Sequence, residues 1–189
     1  FKKIQKAEQA YNENNLQFAE QTIYDAINYQ KANKLEESED ARHLLNNIKH
    51  KSYQNLIAEA IQLNQKEQYD IALRRLESAK ALEAQFDFLL NPELDNLIKK
   101  TAKSLILQRI RYGKNEVSEN RITGARQFFD KALKLQYQYE LQDDEEISTK
   151  LESLRDMIFS QECKNLQNEY DFEYQKALID YFAANPKFH

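Results

Sequence analysis

The sequence predicts an all-α fold: an α-α superhelix, or solenoid, of about eight helices in antiparallel pairs. Three observations point to it. The 189-residue chain holds only 2 Gly and 2 Pro, so the turn chemistry of many-stranded β folds is almost absent, while Leu, Ala, Glu, Lys and Gln abound. Pairs of alanines seven residues apart recur along it: Ala19 and Ala26, Ala72 and Ala79, Ala125 and Ala132, Ala177 and Ala184. The pairs also recur at one period, with steps of 53 (72 − 19), 53 (125 − 72) and 52 (177 − 125) residues.

Two further columns keep that period. The large residue four after the first alanine is Ile23, Leu76, Phe129 and Tyr181, and the apolar residue three before it is Leu16, Tyr69, Ile122 and Tyr174. On a helix these positions share one stripe, so small residues admit a neighbouring helix closely while the large one fills the space beside it. The alanines are therefore expected to be the structural contacts between helices.

Helices are expected near 1–13, 16–33, 38–66, 68–86, 93–115, 122–140, 143–170 and 173–184. The segment 38–66 has no Gly or Pro, spaces apolar residues from Ala41 to Leu63 on one face, and starts at Ser38, a capping residue followed by acids. Asn91 can cap the next long helix with Pro92 in its first position, and Leu94, Leu97, Ile98, Leu105, Ile106 and Ile110 continue the stripe. In 143–170 the stripe runs through Ile147, Leu151, Leu154, Ile158, Cys163, Leu166 and Tyr170. Short connections make neighbours antiparallel. The chain reads as one helical-repeat domain, 1–189, with repeats near 1–35, 38–90, 93–140 and 143–189. It starts at Phe1 and reads as a piece of a longer protein.

The columns resemble those of the tetratricopeptide repeat. Ala7, Ala60 and Gly113 stand where that family keeps a small residue in its first helix, with Asn165 as the fourth, and the second copy (Leu56, Ala60, Leu63, Tyr69, Ala72, Leu76, Ala79, Leu82) fits best. The family repeats at about 34 residues. Its turn glycine is replaced here by Asn14, Glu67 and Asn120. The surplus in each copy would be absorbed by lengthening both helices of a pair, which preserves their stacking. The resemblance implies binding of a peptide or protein in a groove lined by first helices. It places Gln54, Ile57, Ile61, Asn64, Leu107, Ile110 and Lys114 there, with Ile57, Ile61 and Ile110 equally suited to the core. The family's clamp for chaperone tails is disfavoured, since Ile4, Glu8 and Ala58 occupy three of its positions.

Other constellations have structural explanations. Lys99, Lys100, Lys103 and Arg111 form a basic stretch that suits a solvated helix face; an anionic partner surface is the alternative. Nucleic acid is not expected at pI ≈ 5.5. Asp143 to Glu146 fit a helix N-terminus. His43 and His50, about 10.5 Å apart along a helix, cannot share one metal. Cys163 is expected to be a buried thiol, and Phe86, Phe88, Leu89 and Leu90 to seal the gap between repeats.

No phosphate loop, dinucleotide fingerprint, nucleophile elbow or zinc spacing occurs, and no apolar run approaches the roughly 20 residues of a membrane span. The expectation is a non-catalytic scaffold, without cofactor or metal, that binds another protein or peptide through a groove or exposed helix faces. An elongated bundle acting as spacer or dimerisation module is the alternative. The sequence sets no compartment.

Overall fold

A computed structural model describes residues 2–36, 38–86, 88 and 91–184, and for 182–184 the backbone alone. Among the described residues there are seven helices and no strand: α1 Lys2–Asn12, α2 Leu16–Ala32, α3 Glu39–Gln65, α4 Tyr69–Gln85, α5 Pro92–Ser118, α6 Ile122–Gln138 and α7 Glu145–Ala184. The fold is all-α, and helices adjacent in sequence pack together.

The period of 53 is a property of the backbone. Helices α2, α4 and α6 are 17 residues each and start 53 apart; α3 and α5 are 27 each, and the starts of α3, α5 and α7 are again 53 apart. The surplus over a 34-residue repeat is thus not shared between both helices of a pair as expected, because the first helices are ten residues longer than the second ones.

The turns repeat with the helices. After α1, α3 and α5 the chain closes the same way: Asn15 N–H donates to the Ala10 carbonyl, Gln68 to Leu63 and Arg121 to Glu116, at 2.8, 3.0 and 2.8 Å. After α2, α4 and α6 the corresponding bonds are Leu35 to Gln30, Phe88 to Glu83 and Leu141 to Gln136. This is the six-to-one closure of a Schellman turn, which satisfies carbonyls that a helix end leaves open. It needs a left-handed residue just before the donor, and Asn14, Lys34, Glu67, Asn120 and Glu140 supply it with φ of 54 to 60°. The starts of α2, α3, α5 and α7 are capped by side chains: Asn15 accepts from Phe18 N–H, Ser38 from Ala41, Asn91 from Glu93 and Asp144 from Ile147, whereas α4 and α6 begin without a side-chain cap.

Three cores follow, each with the same composition by element. The first joins α1, α2 and the first half of α3; the second joins the second half of α3, α4 and the start of α5. Both lie in one compact unit, Phe1–Thr101. The other unit, Ala102–His189, holds the third core, made by residues 106–117 of α5, by α6, and by Ile147, Leu151, Leu154 and Ile158 of α7. Ala19, Ala72 and Ala125 are fully buried, as are Ala79 and Ala132, and Ala26 nearly so. Ala7 and Ala60 are also fully buried. At the third equivalent position Gly113 has no room for more, since a Cβ there would come within 2.7 Å of a Leu154 methyl.

Consecutive long helices run side by side in the same direction but out of step. In the first unit the Lys51 ammonium lies 4.9 Å from the Tyr11 ring centre, an offset of 40 residues, and Asn64 donates to the Thr101 hydroxyl at 2.8 Å, an offset of 37. In the second unit Lys114 donates to the Ser153 hydroxyl at 3.0 Å, an offset of 39. Helices stacked level would meet at an offset near 53. The shortfall of about 13 residues is an axial stagger of roughly 20 Å, so the second half of one long helix meets the first half of the next.

The fourth copy departs from expectation. The helices expected at 143–170 and 173–184 are one continuous helix, α7. The 53-residue register that α7 keeps through Leu154 and Ile158 brings Leu166, rather than Asn165, to the position of Ala7, Ala60 and Gly113. A leucine there blocks the close approach on which each second helix depends, and with no Gly or Pro to interrupt it the helix runs on. Ala177 is consequently exposed, and the side chain of Ala184 lies outside the described residues.

Replacing Glu67 by glycine should remove the cost of holding a β-carbon at φ 56° and stabilise the protein by about 1 kcal/mol. Urea unfolding of the two proteins measures this as a raised midpoint at unchanged slope.

Candidate functional site

The first unit carries a cavity of about 440 Å³ between α1 and α3, lined by Ile4, Gln5, Glu8, Asp40, His43, Leu44 and Asn47. The stagger creates it: the start of α3 lies alongside the start of α1, so successive turns of both helices face one cleft. Ile4 and Leu44 pack on the first core and give the cleft an apolar base. Glu8, Asp40, Gln5, His43 and Asn47 are exposed around that base. Two carboxylates face the opening together with one imidazole and two amides. Such a site offers apolar contact, several acceptors and negative charge, the complement of a segment carrying Lys or Arg beside an aliphatic residue.

The residues expected to line a groove relate to this cleft by the period, for Ile57 and Ile61 stand 53 residues after Ile4 and Glu8, and Ile110 and Lys114 stand 53 after those. Their environments differ. Gln54 is exposed and Ile61 is 42 % exposed, whereas Ile57 and Leu107 are half-buried against the second and third cores. Ile110 is buried in the third core and is out of reach of a partner. Asn64 and Lys114 spend their donors on Thr101 and Ser153, fastening one long helix to the next. Sequence reasoning missed Asp40, Leu44 and Asn47 as site residues, because periodicity does not report that the start of α3 lies beside α1. His43 belongs to this cleft as well; among the described residues no three metal-binding side chains cluster.

The basic stretch is divided between the units. Lys99 and Lys100 in the first and Arg111 in the second are exposed. Lys103 pairs with Asp144 at 2.8 Å and Glu146 at 2.9 Å, tying α5 to the N-terminus of α7. Hydrogen bonding to Lys103 holds the Asp144 carboxyl below the usual aspartate range, and bonds to Lys150 and Lys103 do the same for Glu146. The acidic run at 143–146 thus serves a helix start and an interhelical ion pair.

Phe88 packs on the second core, 5.7 Å from the Tyr53 ring and 5.5 Å from that of His50; Leu89 and Leu90 lie outside the described residues. Cys163 is exposed, not buried as expected, because α7 leaves the third core after Ile158. Beyond that point α7 presents Phe159, Leu166, Tyr170, Tyr174 and Tyr181 to solvent, each at least 53 % exposed. Among the described residues no helix is long and apolar enough to cross a membrane. Comparison with protein-family models, curated proteins and solved structures finds no match.

An Asp144→Asn variant keeps the cap on Ile147 and removes the charge opposite Lys103. Because the folded-state value of Asp144 lies below the roughly 3.9 of an unfolded aspartate, its contribution is present above that pH and disappears as pH falls through the folded value. The variant should melt below the wild type at pH 7, with the gap closing as pH falls below the ordinary aspartate range, as followed by circular dichroism.

Proposed function

We propose that this chain is a non-catalytic scaffold of tetratricopeptide-like repeats that binds another protein by holding an extended basic segment in the cleft between α1 and α3. The observation that carries the reading is the cleft itself, with Ile4 and Leu44 at its base and Glu8 and Asp40 at its opening. The family likeness is supported by the small-large-small columns, antiparallel pairs and buried alanines at one period. The stagger narrows what such a scaffold can grip: the opening is confined to a few helical turns, so the bound segment is short.

Steered by two carboxylates, binding should weaken with salt. Peptides of eight to ten residues, alternating Lys or Arg with Leu, probe the reading by fluorescence anisotropy. Reversing both charges (Glu8→Lys with Asp40→Lys) should weaken such a peptide about tenfold or more, while an acidic peptide of the same length binds neither protein. Equal affinity for both proteins, or no binding by the wild type, would overturn the cleft as the site. A second reading, the dimerisation module, is favoured by one separate observation, the apolar face of α7.

A further inference from the structure

Past Ile158, α7 carries a seam of Phe159, Cys163, Leu166, Tyr170, Tyr174, Ala177 and Tyr181. Their spacing of 4, 3, 4, 4, 3 and 4 keeps all seven within a stripe of about 80° at 100° per residue. Phe159, Leu166 and Tyr170 are 65–67 % exposed, Tyr174 and Tyr181 53 and 55 %. An aromatic residue carries roughly 150–250 Å², so the four aromatics together with Leu166 present on the order of 600 Å² of largely apolar surface. That is the upper end of what a monomer leaves in water, about 300–600 Å². In the pairing below Phe159 falls outside the matched part of the seam, so the other four, doubled across a two-fold axis, supply roughly 1,000 Å², the low end of specific interfaces and the size of a weak pair.

We propose that this seam pairs antiparallel with the same seam of a second copy of the chain. The order of sizes along it selects the partner and the direction. An axis near residue 172 sets Leu166 against Ala177, Cys163 against Tyr181 and Tyr170 against Tyr174, so that bulky residues meet smaller ones and the tyrosines share the centre. Parallel pairing in register would set Leu166 on Leu166 and leave a gap at Ala177. Charge agrees on the flank of the seam: Lys176 of one copy falls beside Glu169 of the other, twice by symmetry, and flanks the like-charge approach of the two Glu173 side chains. Asp180 falls opposite Glu162, whose carboxylate Arg126 already holds within its own chain at 2.6 Å. The cleft between α1 and α3 is in the other unit, so the peptide experiment and this one fail independently.

Cys163 turns the geometry into a test. In the antiparallel pair the two Cys163 thiols are about 18 residues apart along the axis, near 27 Å, too far to bridge, whereas Cys163 faces position 181 of the partner. Light scattering on the intact chain at about 100 µM, weak for a dimer by the usual affinity scale, should give twice the 22.5 kDa chain mass. Leu166→Glu with Tyr170→Glu should restore the single mass without changing helical content. Under oxidised glutathione the wild type should form no disulfide-linked dimer, Tyr181→Cys should form one, and Tyr181→Cys with Cys163→Ser should not. A monomeric wild type, a Cys163–Cys163 bridge, or a Tyr181→Cys protein that stays uncrosslinked would each overturn the proposal.

Discussion

Everything in this fold depends on how closely a short helix can approach a long one. At each crossing both partners offer a small residue: Ala7 with Ala19, Ala60 with Ala72, and Gly113 with Ala125, all deeply buried. Large side chains then fill the flanks, Ile23 in the first core and Leu76 in the second. Gly113 also sits tightly against the next long helix, where a Cβ would come within 2.7 Å of a Leu154 methyl of α7. The fourth copy differs, for that position holds Leu166 and, among the described residues, α7 continues as a single helix of 40 residues.

Long helices impose a second consequence. Twenty-seven residues span about 40 Å, more than a 17-residue partner can cover. Each long helix of this length therefore belongs to two cores in succession, and its neighbour of the same kind is displaced along the axis. Within the first unit, the offset of α3 against α1 leaves a local cleft beside α1 that combines apolar and acidic groups. The exposed seam of α7 has the same origin, being the half of a long helix against which, among the described residues, no short helix packs.

Much of this was legible in the residues. The alanine pairs and the columns beside them located α2, α4 and α6 and fixed the period, and Ser38 and Asn91 marked helix starts that the structure keeps. The stagger was not legible, since periodicity reports that helices repeat and says nothing of which turn meets which. Nor was the fate of the last copy, because the Ala177 motif matches its predecessors locally and fails only through Leu166, eleven residues away in another part of the expected pair's contact. The cleft was half legible: Ile4 and Glu8 share a column with Ile57 and Ile61, but Asp40 and His43 join them only once the offset of 40 is known. Asn14, Glu67 and Asn120 were visible as departures from a turn glycine, and the structure gives them the left-handed conformation that glycine would have had.

The stagger is the central claim, and a pair of distances tests it. Spin labels placed at Gln5 and Asn47 in one protein, and at Gln5 and Ala58 in another, all on exposed positions, separate the alternatives. Helices out of step by about 13 residues make the Gln5–Asn47 distance the shorter, by up to roughly 20 Å. Helices standing level would bring Gln5 beside Ala58 instead, and a shorter Gln5–Ala58 distance would contradict the account.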